Sequence, residues 1–228
     1  AVAIGLCGGW FGSLLMGFLG LTINELKISE LWLSALLLMM IHPRFICFSY
    51  GGGLLVILNT LTGWPGINGP IVLALIGSLH LIESVMIMIA GPYGALPIWL
   101  QNPKTKEWVI GFRMEHFWPL PLLLLFGVGT TTGTFVPGNI NTPSWWPLFP
   151  LHQLLPAGDE WLFQLMAVVA AIGYSDFSVT CSPEEKSRQS GFHLFLYSVI
   201  LLSLSMLTVY YSWLLIPAAL FSALGHEG

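Results

Sequence analysis

The chain has 228 residues, of which 55% are hydrophobic and 8% charged, with 7 Lys and Arg against 11 Asp and Glu and a mean hydropathy of +0.80. Soluble domains carry about a quarter charged residues, so this composition excludes a water-soluble enzyme, a disordered tail and a basic nucleic-acid binder. It defines an integral membrane protein, whose electrostatics lie in where its few charges fall rather than in the net charge of −4.

A bilayer core about 30 Å thick needs about 20 apolar residues per helix, and that length, with Pro and Gly as punctuation, divides the chain. Residues 1–21 are Gly-rich and lack the basic region of a cleavable signal peptide, so they predict a first transmembrane helix, with the chain trimmed at both ends. The polar stretch 22–30 predicts a short loop in which Ser29 caps the helix that follows. Residues 31–41 and 45–61 predict two more spans meeting in a corner at His42-Pro43-Arg44, because Pro43 disfavours helix at His42. Gly51, Gly52 and Gly53 would permit close helix approach in the second of these. After a turn at 63–70, residues 71–90 predict the next span.

Residues 91–116 face water and read as strand, turn, strand, which predicts a small interfacial β-hairpin with Trp99 and Trp108 at headgroup level. Residues 117–128 predict a short Pro-containing span. The stretch 129–160 has no Lys or Arg and predicts one long extracytoplasmic loop, resting on the bilayer through Trp145 and Trp146. Residues 161–179 predict a further span. Ser182-Pro183-Glu184-Glu185 then combines an N-cap, a Pro at the first helical position and a Glu three residues after the Ser. It opens a helix running towards Tyr211, and 216–224 form a short element that turns the chain back. The expected fold is thus an all-α polytopic membrane protein of six to seven transmembrane helices, a single transmembrane domain over 1–228.

Lys and Arg favour cytoplasmic loops. Lys104, Lys106 and Arg113 share one loop, Lys186 and Arg188 another, and Arg44 sits at the Pro corner, all on one side of the predicted spans. That side is read as cytoplasmic and partner-facing, in a multi-pass protein of the cytoplasmic membrane. Lys27 is the exception, flanked by Glu25 and Glu30.

Ionisable groups inside a membrane cost about 2.5 kcal/mol or more, so His80 and Glu83, one turn apart in the span 71–90, need a reason. Together with Arg44 and His42 they are the buried polar candidates. His80 and Glu83 could serve as a proton relay, a metal pair or a cofactor ligand; a polar pair bonded to each other or to another helix is the reading favoured, because no second His/Glu pair lies within another span. Arg44 reads as snorkelling to the headgroups. Cys7, Cys47 and Cys181 have neither disulfide nor zinc spacing and read as small apolar residues in packed helices. Glu115-His116 and His226-Glu227 are not metalloprotease motifs. No catalytic set, metal site or cofactor is predicted.

The stretches His42-Pro-Arg-Phe-Ile-Cys-Phe-Ser-Tyr-Gly-Gly-Gly-Leu-Leu54, Gly63-Trp-Pro65 and Leu79-His-Leu-Ile-Glu-Ser84 resemble the membrane region of the MinJ-like PDZ-domain proteins of Gram-positive, clostridial-type bacteria. Val109-Ile-Gly-Phe112, Phe117-Trp-Pro119, Trp145-Trp-Pro-Leu148, Gly173-Tyr-Ser-Asp176 and Ser182-Pro-Glu-Glu-Lys-Ser-Arg188 resemble that family in order, and the end, Ala219 to Glu227, resembles the junction before its PDZ domain. The resemblance implies a polytopic scaffold related to a division-site topological factor, with a peptide-binding PDZ domain downstream. The expected function is therefore a non-enzymatic membrane scaffold that positions partners, with the lipid bilayer and other membrane or division proteins as partners, no nucleic acid, and a homo-oligomer left open. The alternative is an accessory subunit of a redox or photosynthetic complex, with His42, His80, His116 or His193 holding a cofactor. A proton-coupled transporter using His80 and Glu83 is weaker, because the two halves share no repeat.

Overall fold

Pro119 and Pro121 stand inside the apolar run expected to form a helix at 117–128, and a helix interior tolerates neither. Each also steers the residue before it, Trp118 or Leu120, to extended backbone. In the computed structural model, which describes residues 1–101, 106–131, 143, 145–150 and 159–225, this run belongs to strand β2 (Trp108–Thr131). It pairs antiparallel with β3 (Asp159–Ser178), from Phe112 opposite Ser178 to Thr131 opposite Asp159, and at its start with β1 (Leu96–Gln101). The sheet order is β1-β2-β3.

The all-α expectation is therefore overturned: the fold is mixed, and two predicted spans, 117–128 and 161–179, are strands. Hydropathy misread them because a run of apolar residues looks the same in a buried helix and a buried strand. The strands are also far longer than the usual five or six residues. Once the prolines hold β2 extended, the backbone groups of 161–179 that face it are satisfied by pairing. Among the described residues only α1 (Val2–Leu19), α5 (Gly69–Ala90) and α6 (Pro183–Tyr210) are long and apolar enough to cross a membrane, instead of six or seven. The predicted spans 31–41 and 45–61 are the shorter helices α3 (Ile28–Met39) and α4 (Phe48–Thr62), joined through a 3-10 turn at Pro43–Ile46. Helices α2 (Ile23–Leu26) and α7 (Leu215–Leu224) complete the set. The interval 91–116 does contain two paired strands, β1 and the start of β2, with 102–105 outside the described residues, but β2 does not end there. Of the predicted loop 129–160, both ends are strand, the stretch 145–150 packs back with Phe149 buried, and most of the rest lies outside the described residues.

Side chains of β2 alternate. Met114, Trp118, Leu120, Leu122 and Leu124 are buried beneath the helices, while Phe117 and Leu123 are exposed on the other face. On β3 the outward residues Leu165, Val169 and Phe177 are also apolar, with Val169 77% exposed. A water-facing sheet alternates apolar with polar; this one alternates apolar with apolar. At about 3.3 Å per residue, the twelve positions from 117 to 128 cover about 40 Å, enough to cross a bilayer at a tilt.

The outer edge of β2 is closed by α1 and the residues after it. The Leu123 N–H donates to Ser13 Oγ (2.8 Å), the Gly127 N–H donates to Asn24 Oδ1 (2.8 Å), and Asn24 Nδ2 donates back to the Gly127 carbonyl (2.9 Å). Thr22 bridges Leu125 in parallel. By the two-residue period of a strand, positions 119 and 121 turn the same way, and there proline has no N–H to leave unpaired. Their carbonyls meet Gly5 and Gly9, where any Cβ would overlap them, while Gly8 and Gly12 of the same helix take Met86 and Ile82 of α5. α1 thus offers one glycine pair to the sheet and one to the central helix.

Gly51, Gly52 and Gly53 of α4 act similarly. Successive helical residues point about 100° apart, so Gly51 meets Ser34 and Ala35 of α3, Gly52 meets Ile76 of α5, and Gly53 meets Ala219 and Ala223 of α7. Capping fixes the long helices: Ser182 and Glu185 form a reciprocal box at α6 (3.2 and 3.4 Å), and Asn68 caps α5. Ser29 does not cap α3, whose N-cap is Lys27; its hydroxyl donates to Glu30 (2.6 Å) instead. That bond, then the backbone N–H and the Lys27 charge, hold the Glu30 carboxyl below its usual range.

Gly9→Ala should lower stability by about 1–3 kcal/mol through overpacking against Pro121. Gly17→Ala, where an added Cβ meets nothing within 4 Å, should be neutral or raise stability by up to about 1 kcal/mol. Thermal melting of the two variants in detergent checks the pair.

Candidate functional site

Two polar clusters interrupt the apolar body. The first gathers where the hairpin meets the start of α6. Asp176 of β3 is its centre: Lys186 Nζ lies 3.4 Å from Oδ2, Ser190 Oγ donates to the same oxygen (2.8 Å), the Tyr174 hydroxyl donates at 3.4 Å, and the Phe177 N–H reaches Oδ1 (2.8 Å). Beneath it Ser187 Oγ donates to Met114 Sδ (3.3 Å). His116, Trp118 and Tyr174 stack nearly parallel, with centroids 5.0 Å apart for His116 and Trp118 and 6.3 Å for His116 and Tyr174. His116 Nε2 donates to the Gly91 carbonyl (3.0 Å), which ties the sheet to the end of α5. On the outer face, Glu115, Phe117, Gly173 and Ser175 border a shallow depression of about 410 Å³, which His116 and Tyr174 also line.

Of the basic residues picked out in the sequence, Lys106, Arg113, Lys186 and Arg188 fall at this same end. Arg113 pairs with Glu115 on the exposed face of β2; both are about half exposed, so the pair contributes at most about 1 kcal/mol. Lys186 is committed to Asp176, Arg188 is exposed on α6, and Lys106 is exposed beyond β1, its carbonyl accepting from Gln101 (3.1 Å). Lys104 lies outside the described residues. Lys27, the exception in the charge pattern, is at the opposite end, where its ammonium donates to the Pro65 carbonyl. Beside it Glu25 is buried and accepts from Asn68 (3.3 Å).

The second cluster surrounds His80, 4% exposed on α5. Its Nδ1 lies 2.8 Å from the Ile76 carbonyl and its Nε2 3.2 Å from Cys47 Sγ, at the N-cap of α4. The Tyr197 ring of α6 meets the imidazole edge-on at 5.5 Å. Tyr197 hydroxyl, in turn, bonds Ser49 and donates to the Ser222 carbonyl (2.9 Å), and Ser222 Oγ donates to the Ser49 carbonyl (3.1 Å). This knot joins α4, α5, α6 and α7. Glu83, one turn along, is partly exposed and interacts with His80 through its charge.

The two sequence candidates of the Pro corner stay on the surface. His42 is exposed and its Nδ1 accepts from the Arg44 N–H (3.3 Å); the exposed Arg44 guanidinium lies 5.9 Å from the centre of the Phe45 ring. His80 is thus joined to Cys47, which the sequence reads as a small packed residue, and to Tyr197 and a serine pair that the sequence does not single out. The missed signal is the spacing of hydroxyls: Ser49, Tyr197 and Ser222 each stand in an otherwise apolar stretch, but nothing in the sequence says that they converge. Asp176 was likewise visible only as a polar end to a presumed span. Among the described residues, no group of three or more His, Cys, Asp or Glu converges as a metal site would require. No family model, curated protein or solved structure matches the chain.

Asp176→Ala should strip partners from Lys186, Ser190 and Tyr174 together and cost about 1–3 kcal/mol. Hydrogen exchange should rise in the first turns of α6. Glu115→Ala, which breaks an exposed pair, should stay within about 0.5 kcal/mol.

Proposed function

We propose that the protein is a non-enzymatic integral membrane scaffold of the cytoplasmic membrane that anchors and positions other membrane or division proteins. The observation that carries this reading is the polar end of the molecule at the foot of the hairpin. There the short β1-β2 hairpin, the foot of β3 and the first turns of α6 are bound into one platform by Asp176, with Lys106, Arg113, Lys186 and Arg188 on or beside it.

The bias of basic residues towards the cytoplasmic side of membrane proteins supports placing this platform in the cytoplasm. The apolar outer face of β2 and β3 supports reading the hairpin as a membrane-crossing element beside α1, α5 and α6. Such a body holds its platform at a fixed height and angle, as a positioning protein requires. The resemblance to the membrane region of MinJ-like PDZ-domain proteins points the same way and suggests cell division as the setting.

The test is two-sided. In a background with Cys7, Cys47 and Cys181 replaced by Ala, Lys106→Cys should react with a membrane-impermeant maleimide only after the cells are opened, and Thr62→Cys should react in intact cells. Replacing Lys104, Lys106 and Arg188 by Gln should then weaken capture of partners crosslinked in the native membrane, with unchanged insertion. Labelling of Lys106→Cys in intact cells would overturn the orientation and with it the cytoplasmic scaffold.

A further inference from the structure

Cys47 and His80 are arranged for proton transfer. A carbonyl only accepts, so the 2.8 Å contact to Ile76 puts the imidazole hydrogen on Nδ1 and leaves the Nε2 lone pair facing Cys47 Sγ at 3.2 Å. The thiol is the donor in that bond. Cys47 is also the N-cap of the 15-residue helix α4, which fixes its backbone at the corner. The imidazole lone pair is thus placed to take the thiol proton as the sulfur attacks.

The sulfur is within reach of a reagent. Cys47 is partly exposed, whereas His80 behind it is 4% exposed. The corner beside it presents Met40 (82% exposed), Ile41 (74%) and Ile46 (49%), an apolar rim that suits a hydrocarbon chain. Arg44, three residues before the cysteine on the same 3-10 turn, supplies a cation. The other titratable groups facing the pair are Glu83 on α5, Tyr50 on α4 and Tyr197 on α6.

We propose that Cys47 is a covalent acylation site that accepts a long-chain acyl group from an acyl thioester. The Cys47 sulfur attacks the carbonyl carbon, His80 takes the thiol proton, the donor's acyl–sulfur bond breaks, and His80 returns the proton to the leaving thiolate. One thioester is exchanged for another, so nothing is oxidised or reduced. An oxygen ester such as a phospholipid is the poorer donor, because forming a thioester from it is uphill. The attached chain lies along Met40, Ile41 and Ile46. The inference stands apart from the scaffold reading, since it concerns a modification of the chain and none of the platform residues.

The full chain is reconstituted in phosphatidylethanolamine and phosphatidylglycerol vesicles and given an alkyne-tagged palmitoyl thioester of coenzyme A. The expected result is a hydroxylamine-labile label at Cys47, absent in Cys47→Ala and formed at least about tenfold more slowly in His80→Gln, with Cys7 and Cys181 marked slowly and equally in all variants. In the wild-type chain, which removes any concern about folding of the His80 variant, iodoacetamide at pH 6 should alkylate Cys47 at least about tenfold faster than Cys7 or Cys181. Equal labelling of the three cysteines, or a Cys47 rate untouched by His80→Gln, would overturn the proposal. Transfer from vesicles carrying a tagged phospholipid acyl chain, without the thioester, would overturn the donor class.

Discussion

A strand in an apolar environment leaves a costly backbone group wherever it lacks a partner, and the way β2 is covered along both of its edges organises the rest of this structure. On one side it has β3. On the other it has no full strand, and the bonds are assembled from unlike parts: β1 at the polar end, two prolines that have no N–H, a serine hydroxyl from α1, an asparagine side chain and a single bridge from Thr22. An unsatisfied polar group in hydrocarbon costs several kcal/mol. α1 therefore has to lie along β2, and the glycines at 5 and 9 are what allow it to approach that closely. Because the same helix turns Gly8 and Gly12 to α5, the sheet and the helical half are joined through one thin helix.

The helical half is organised around α5, which is buried along most of its length and meets α1, α4 and α6. Its polar contacts occur at three levels. At the start, Asn68 caps the helix and reaches Glu25; in the middle, His80 meets Cys47 and Tyr197; at the end, the Gly91 carbonyl receives His116. Each level links α5 to a different neighbour, so the helix is pinned in rotation as well as in height.

Local chemistry was enough to read the Pro43 corner and the capped start of α6. Those features depend on residues close in sequence: the box at Ser182 and Glu185 spans four residues. The hairpin was misread because its decisive interactions are long-range. Nothing in 161–179 forbids a helix, and only its pairing along β2, from Phe112 opposite Ser178 to Thr131 opposite Asp159, holds it extended. Two prolines in twelve apolar residues read, in sequence alone, as a short Pro-containing span, whereas they mark a strand edge. The site was half legible for the same reason. His80 could be singled out as a costly ionisable group, but its partners Cys47, Tyr197 and Ser222 arrive from three other elements. Asp176, which organises the platform, was hidden by the mistaken helix around it.

The prolines at 119 and 121 also restrict how the molecule can move. A one-residue slip of β2 against β3 would turn both proline nitrogens inward, where β3 needs donors, and would exchange the packed face with the outward one. A slip of two residues would keep the faces but pull Ser13 and Asn24 off Leu123 and Gly127. Neither sliding step is open to the hairpin, which leaves rigid tilting. A force on the platform therefore reaches the far end of the sheet by tilting it, as through a strut, at less cost in bonds than by sliding one strand past the other.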